Sequence, residues 1–153
     1  MSSRELSEET LRRLLVEREL LRQTADVLTS RLNMVNVLIN DLNIFKSTVE
    51  NLKELKEERE ILVPVGASSY VRAKISSVDK VLYAVGSDIF MEQDVDKALE
   101  DVEKRLDELH AMRRELQGQL TTVLRKLEES EKAIRTLSQA ISRKHAGKAE
   151  RGS

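Results

Sequence analysis

A chain of 153 residues is long enough for one domain, but only 3% of it is aromatic, none of it is Trp, and 35% is charged. Its burial must therefore lie along a thin seam of aliphatic side chains, not around bulky rings. The 26 basic and 27 acidic residues nearly cancel and are interspersed along both helical segments, so no strongly basic face follows a phosphate backbone and nucleic acid is not expected as a principal partner.

The absence of Cys excludes disulfide frameworks, thiolate zinc sites and a cysteine nucleophile. No basic N-terminal region precedes an apolar core and no apolar run is long enough to cross a bilayer, so the chain is expected in the cytoplasm and away from membranes. High charge without Cys also suits a heat-adapted source.

Helical spacing predicts a first helix from about Leu6 to Arg59, with Ser7 as N-cap and Glu8 and Glu9 in the favourable first turn. Its seam runs through Leu11, Leu14, Leu21, Ala25, Leu28, Leu32, Val35, Ile39 and Leu42, with Arg18 out of character. After Leu42 the stripe moves to Phe45, Val49 and Leu52. Leu15, Val16 and Leu20 project from other faces of the same helix. They either form an apolar binding surface at the N-terminal tip or broaden the contact between helices.

Pro64 cannot sit inside a helix, and the run Ile61-Leu62-Val63 before it favours strand. Four short strands follow: Ile61 to Val65, Tyr70 to Ile75, Lys80 to Val85 and Ile89 to Gln93. They are separated by Gly66-Ala67-Ser68-Ser69, Ser76-Ser77-Val78-Asp79 and Gly86-Ser87-Asp88, and they make two hairpins. The strand Lys80 to Val85 is apolar on both faces and is expected to be buried on both. An isolated hairpin is marginal and its edges are sticky, so this block is predicted to be an assembly module. Its candidate contact residues are Leu62, Val63, Val65, Tyr70, Val71, Ile75, Val81, Leu82, Tyr83, Val85, Ile89 and Phe90.

Asp94 can cap a second helix reaching to about Lys144. Val95, Leu99, Val102, Leu106, Leu109, Leu116, Leu120, Val123, Leu127, Ile134, Leu137 and Ile141 keep one heptad alternation, broken by Arg113 and Ser130. Residues 145–153 lack apolar anchors and are expected to be disordered. Each helix should span roughly 75 Å, and a connecting block tied into hairpins brings them back antiparallel. Leu14 then falls near Ile141, Leu21 near Ile134 and Ala25 near Ser130. Ile134, Leu137 and Ile141 are seam residues that fraying of the tip would uncover. Arg18 and Arg113 could set register or meet acidic neighbours.

The fold class is therefore α+β, a long antiparallel two-helix coiled coil with two central β-hairpins. That order resembles the alpha class of prefoldin, a cytosolic holding chaperone of archaea and eukaryotes. Ile61-Leu62-Val63-Pro64-Val65-Gly66 with Tyr70-Val71-Arg72 is similar to the family's leucine-valine-proline-valine-glycine strand followed by an aromatic and a basic residue. Lys80-Val81-Leu82-Tyr83-Ala84-Val85-Gly86 resembles its second hairpin, although Ser87-Asp88 departs from the glycine-rich turn of the family.

The resemblance covers nearly the whole chain as one prefoldin-like domain. It implies a hexamer of two alpha and four beta subunits on a β-barrel platform. It also implies distal helix ends, here Leu11, Leu14, Leu15, Val16, Leu20, Leu21, Ile134, Leu137 and Ile141, that hold non-native polypeptide for a group II chaperonin. A self-assembling filament like the gamma prefoldins is the alternative.

A bacterial nucleotide-exchange adaptor places its β domain after the helices instead. His110 and His145 have no metal-site spacing, and the clusters Glu57-Glu58 and Glu128-Glu129 read as solvated helix faces. Gly66 and Gly86 close turns outside any phosphate-binding pattern, so no cofactor and no enzymatic activity are expected.

Overall fold

The computed structural model describes residues 3–55 and 59–152. Helix α1 spans Ser3–Glu54 and α2 spans Val95–Glu150, and between them lie strands β1 (Glu60–Gly66), β2 (Ser69–Lys74), β3 (Lys80–Gly86) and β4 (Ile89–Asp94). The fold is that of two long helices and two antiparallel strand pairs. It divides into two compact units, one made of Met1–Met34 with Met112–Ser153 and the other of Val35–Ala111.

The helix ends differ from expectation for physical reasons. Helix α1 begins at Ser3, so Ser7 is no cap; its Oγ donates to the Ser3 carbonyl at 2.8 Å within the helix. Thr10 does the same to Leu6, and this back-bonding lets small hydroxyl residues sit inside a helix. At the other end the helix stops at Glu54, short of Arg59, where the Leu55 N–H donates to the Leu52 carbonyl at 3.2 Å. The following residues are good helix formers. Strand pairing takes over by Glu60, which lies opposite Lys74.

Helix α2 starts without a side-chain cap from Asp94 among the described residues; the Val95 N–H donates to the Asp79 carbonyl at 2.9 Å. It continues through Glu150, so the disorder expected from residue 145 is corrected up to that point. Lys144, Lys148 and the alanines favour helix and their cations suit the negative end of the helix dipole, which outweighs the missing anchors.

In the Val35–Ala111 unit the seam buries Val35, Ile39 and Val49 of α1 and Val95, Ala98, Leu106 and Leu109 of α2. The small Ala98 takes the buried place that heptad counting gives to Leu99, which is half-buried. In the other unit Ala25 and Leu28 are buried on α1 and Leu116 and Ser130 on α2. Ion pairs tie the antiparallel helices at the seam margins. Arg22 meets Glu131 at 2.8 Å in one unit, and Lys46 meets Glu103 at 2.9 Å and Lys53 meets Asp96 in the other. Arg18 and Arg113 make no ion pair among the described residues, and the Arg18 Nε is buried without a partner.

The strands form two separate two-stranded sheets, β1 with β2 and β3 with β4. Their registers are the same with an offset of twenty positions: Leu62 pairs with Arg72 as Leu82 pairs with Glu92, and Pro64 with Tyr70 as Ala84 with Phe90. Each ladder slips by one residue before a glycine, at Gly66 and at Gly86. Each then closes through two residues at positive φ, Ala67 and Ser68 in one hairpin and Ser87 and Asp88 in the other. This is the sign pattern of a type I′ turn, which matches the twist of the strands even without the usual glycine in the loop.

Candidate functional site

Two regions group uncovered apolar side chains among the residues expected to form contacts, one in each unit. In the first, the N-terminal part of α1 turns Leu11, Leu14 and Leu21 half inward and leaves Leu15, Val16 and Leu20 exposed, Val16 by 62% and Leu20 by 58%. The heptad explains the division, since a two-helix seam covers only the a and d positions and the leucine-rich segment 11–21 has more apolar residues than that.

On α2 of the same unit, Ile134, Leu137 and Ile141 are half-buried. Leu137 and Ile141 also line an open pocket of about 160 Å³ with Ser7, Ala140, Lys144, His145 and Lys148. Its floor is apolar and its rim basic. The sequence places Leu137 and Ile141 on the seam, and the pocket arises because Ser7, opposite, is too small to fill the groove. His145 and Lys148 escape sequence reading, because residues 145–153 are not expected to be helical.

The second region is the pair of hairpins. Alternation puts Ile61, Ala73, Val81 and Gln93 on one face, where all four are half-buried. Gln93 anchors the second hairpin to α2, its Nε2 donating to Asp101 Oδ2 at 2.7 Å. That carboxyl also accepts from Lys97 at 2.9 Å, and the two bonds hold it below the usual carboxylate range. Val81 and Tyr83 join Leu42, Ile44, Phe45 and Val102 around an open groove of about 550 Å³.

The opposite face has no cover. Leu62, Tyr70, Leu82 and Phe90 are 64%, 61%, 67% and 61% exposed. The expectation that β3 is buried on both faces is therefore corrected for this chain: Val81 is half-buried, whereas Leu82, Tyr83 and Ala84 are exposed. A two-stranded sheet has the helices on one side and nothing of its own for the other. Val63, Val65, Val71 and Ile89 are likewise exposed. Ile75 lies beyond the end of β2 and lines a small cleft with Leu55, Val78 and Asp79. The side chain of Val85 lies outside the described residues.

Sequence reading also misses Val27 and Met34 in one unit and Val37 and Ile44 in the other, all exposed on α1. Their seven-residue spacing off the seam is the signal that could have found them. Among the described residues no three metal-ligating side chains gather, and no helix is long and apolar enough to cross a membrane.

Comparison with known proteins places this geometry. A family model described as "Prefoldin subunit" matches residues 21–140. Prefoldin subunit alpha of Thermofilum pendens is 35% identical over 123 residues, covering 80% of this chain and 95% of the relative. Prefoldin subunit alpha of Pyrococcus horikoshii is 31% identical over 133 residues, covering 86% and 90%. Among solved structures, the filamentous PFD of Methanocaldococcus jannaschii, determined by cryo-EM, superposes with a TM-score of 0.55 at 28% identity, covering 80% of this chain and 95% of that one.

Proposed function

Because the chain belongs to the prefoldin subunit family, we propose that it is an alpha-class subunit of an ATP-independent holding chaperone. In this reading the two hairpins join a β-barrel platform with beta-type subunits, two alpha to four beta. The helix ends hold non-native polypeptide for a group II chaperonin in the cytoplasm, and the chain carries out no reaction of its own. The observation that supports it is the concentration of uncovered apolar side chains in two places, the hairpin face of Leu62, Tyr70, Leu82 and Phe90 and the helix segment of Leu15, Val16 and Leu20. A strand surface with open edges suits permanent partners. Scattered leucines among charges suit weak, sequence-tolerant capture.

The test of capture is to change Leu15, Val16 and Leu20 together to Ser. Surface changes of this kind typically shift stability by no more than about 0.5 kcal/mol each, whereas each apolar side chain buried against a client contributes on the order of 1.5 to 3 kcal/mol before binding costs. Assembly mass and helicity should be unchanged, and suppression of aggregation of a denatured client should fall markedly. Wild-type suppression by the variant would remove the N-terminal segment as the site and leave the pocket at Leu137 and Ile141 as the alternative.

A second reading, a self-assembling filament subunit, draws support from the similarity to the filamentous PFD of M. jannaschii. Co-expression with a beta-type subunit separates the two, a defined hexamer supporting the first and open-ended homopolymers the second.

A further inference from the structure

Opposite charges are mixed along most of the chain, but the end of α2 departs from that pattern. Between Glu131 and Glu150 lie Lys132, Arg135, Arg143, Lys144 and Lys148, and no carboxylate. Among the described residues Lys132 alone of the five has an ion pair, with Glu128 at 2.8 Å. The helix dipole accounts for Lys148, which is in the last turn, but its influence does not reach back to Arg135. Nearby carboxylates are already engaged: Glu5 and Glu8 have contacts of their own, as does His145, and Glu131 is held by Arg22 at 2.8 Å. This positive charge adjoins an apolar opening. The pocket of about 160 Å³ has Leu137, Ala140 and Ile141 as its floor and Lys144 and Lys148 at its rim, and cavities of about 150 Å³ accept a benzene-sized group. A second open groove, farther back along α2, is lined by Arg18, Arg135, Ser138 and Gln139, and the Arg18 Nε is buried there without a partner.

We propose that this end of α2 selects segments of non-native polypeptide in which an aliphatic or aromatic residue is flanked by Asp or Glu. The apolar side chain enters the pocket over Leu137 and Ile141, and a neighbouring carboxylate meets Lys144 or Lys148. Arg18 and Arg135 supply a second place for a carboxylate, which relieves the repulsion between two guanidiniums in one groove. Neither half suffices alone. An ion pair in open water contributes little, and one apolar contact does not tell one client from another. Side by side each strengthens the other, because an apolar group seated in the pocket excludes water from beside the charges and lowers the local screening. The positive potential also draws acidic segments in and repels basic ones. The inference rests on the reading of the helix ends as the holding surface and deepens it by naming the class of segment held.

The experiment titrates the full chain against three labelled peptides of equal length by fluorescence anisotropy: an acidic-apolar peptide of Leu, Glu and Ser, a basic-apolar peptide of Leu, Lys and Ser, and an acidic peptide of Glu and Ser. At low ionic strength the acidic-apolar peptide should bind about tenfold tighter than either of the others, and its margin over the basic-apolar peptide should shrink as salt rises. Lys144→Glu with Lys148→Glu should remove the preference over the basic-apolar peptide. Ser7→Leu, which fills the pocket and keeps every cation, should remove the preference over the acidic peptide. Helicity and thermal midpoint confirm folding, and if the reversed pair does not fold, Lys144→Gln with Lys148→Gln replaces it, with a loss of about threefold expected. Equal binding of the acidic-apolar and acidic peptides would make the surface a general polyanion site, and binding that weakens as chain concentration rises would give the pocket to a second copy. Selectivity unchanged in both variants would place the contact elsewhere. Each of these outcomes overturns the proposal. Failure to suppress aggregation of a denatured client, with peptide selectivity intact, would instead overturn the holding reading and leave the selectivity standing.

Discussion

Ser130 is 6% exposed in the seam of α2, and its hydroxyl finds no hydrogen-bond partner. The hydroxyls of Thr121 and Thr122 in the same helix bond back to carbonyls four residues earlier, so Ser130 has given up an interaction available to its kind. A buried hydroxyl left unpaired costs about 1 to 3 kcal/mol. Replacing it by Ala removes that cost and adds up to about 0.5 kcal/mol of helix propensity. The cavity left by one oxygen takes back part of the gain.

A net stabilisation of about 1.5 kcal/mol for Ser130→Ala corresponds to a rise of roughly 3 to 6 °C in thermal midpoint for a chain of this size. Circular dichroism at the helical band reads it directly. The control is Ser138→Ala, an exposed position of the same helix, which gains propensity alone and should rise by no more than about 2 °C. If the two variants rise equally, or Ser130→Ala falls, the unpaired hydroxyl is no burden on the seam and the reasoning fails.

Stability should also be flat near neutrality and fall on both sides. Glu100, Asp101 and Glu128 are held below their ordinary values by hydrogen bonds from Lys104, Lys97 and Lys132. Their contribution is complete above about pH 5 and is lost as acid takes the pH down through their folded values. Lys46 and Lys97 are held above 10.5 by bonds to Glu103 and Asp101, so their contribution is complete at neutral pH and is lost as the pH climbs past that value. Thermal midpoints from pH 2 to 11 check this; a midpoint unchanged at pH 3 would refute the acid arm. In the first hairpin, replacing Ala67-Ser68 by Asn-Gly should stabilise by about 0.5 to 1 kcal/mol, because both positions have positive φ, 46° and 56°. Amide exchange in β1 and β2 should slow, and faster exchange would show that the native turn is unstrained.

The helices and hairpins were legible because each has its own period. Heptads from Leu11 onward and from Val95 onward, Pro64 and the two glycine turns place every element to within a few residues. What escaped depends on neighbours that a local pattern does not contain. Helix α1 stops at Glu54 although good helix formers follow it, and the exposure of Leu82 depends on whether another layer covers β3. Residues 145–150 are helical although they lack apolar anchors, because propensity alone can carry a helix past its last seam residue. Of the candidate site, the exposed trio Leu15, Val16 and Leu20 could be picked out by counting off the seam. The pocket beside Ser7 could not, since it is a gap made by two helices at once.

Among the described residues, no large side chain is less than 2% exposed. Every seam layer is therefore near water and rests on its immediate neighbours, so cohesion accumulates along the helices layer by layer, as in a stack of rungs, without radiating from a middle. Reach then becomes a quantity that can be edited. Removing seven residues from α1 and the matching seven from α2 would shorten the pair by about 10 Å and keep the stripe in phase. The hairpins, the second of them fastened to α2 through Gln93 and Asp101, would not register the change.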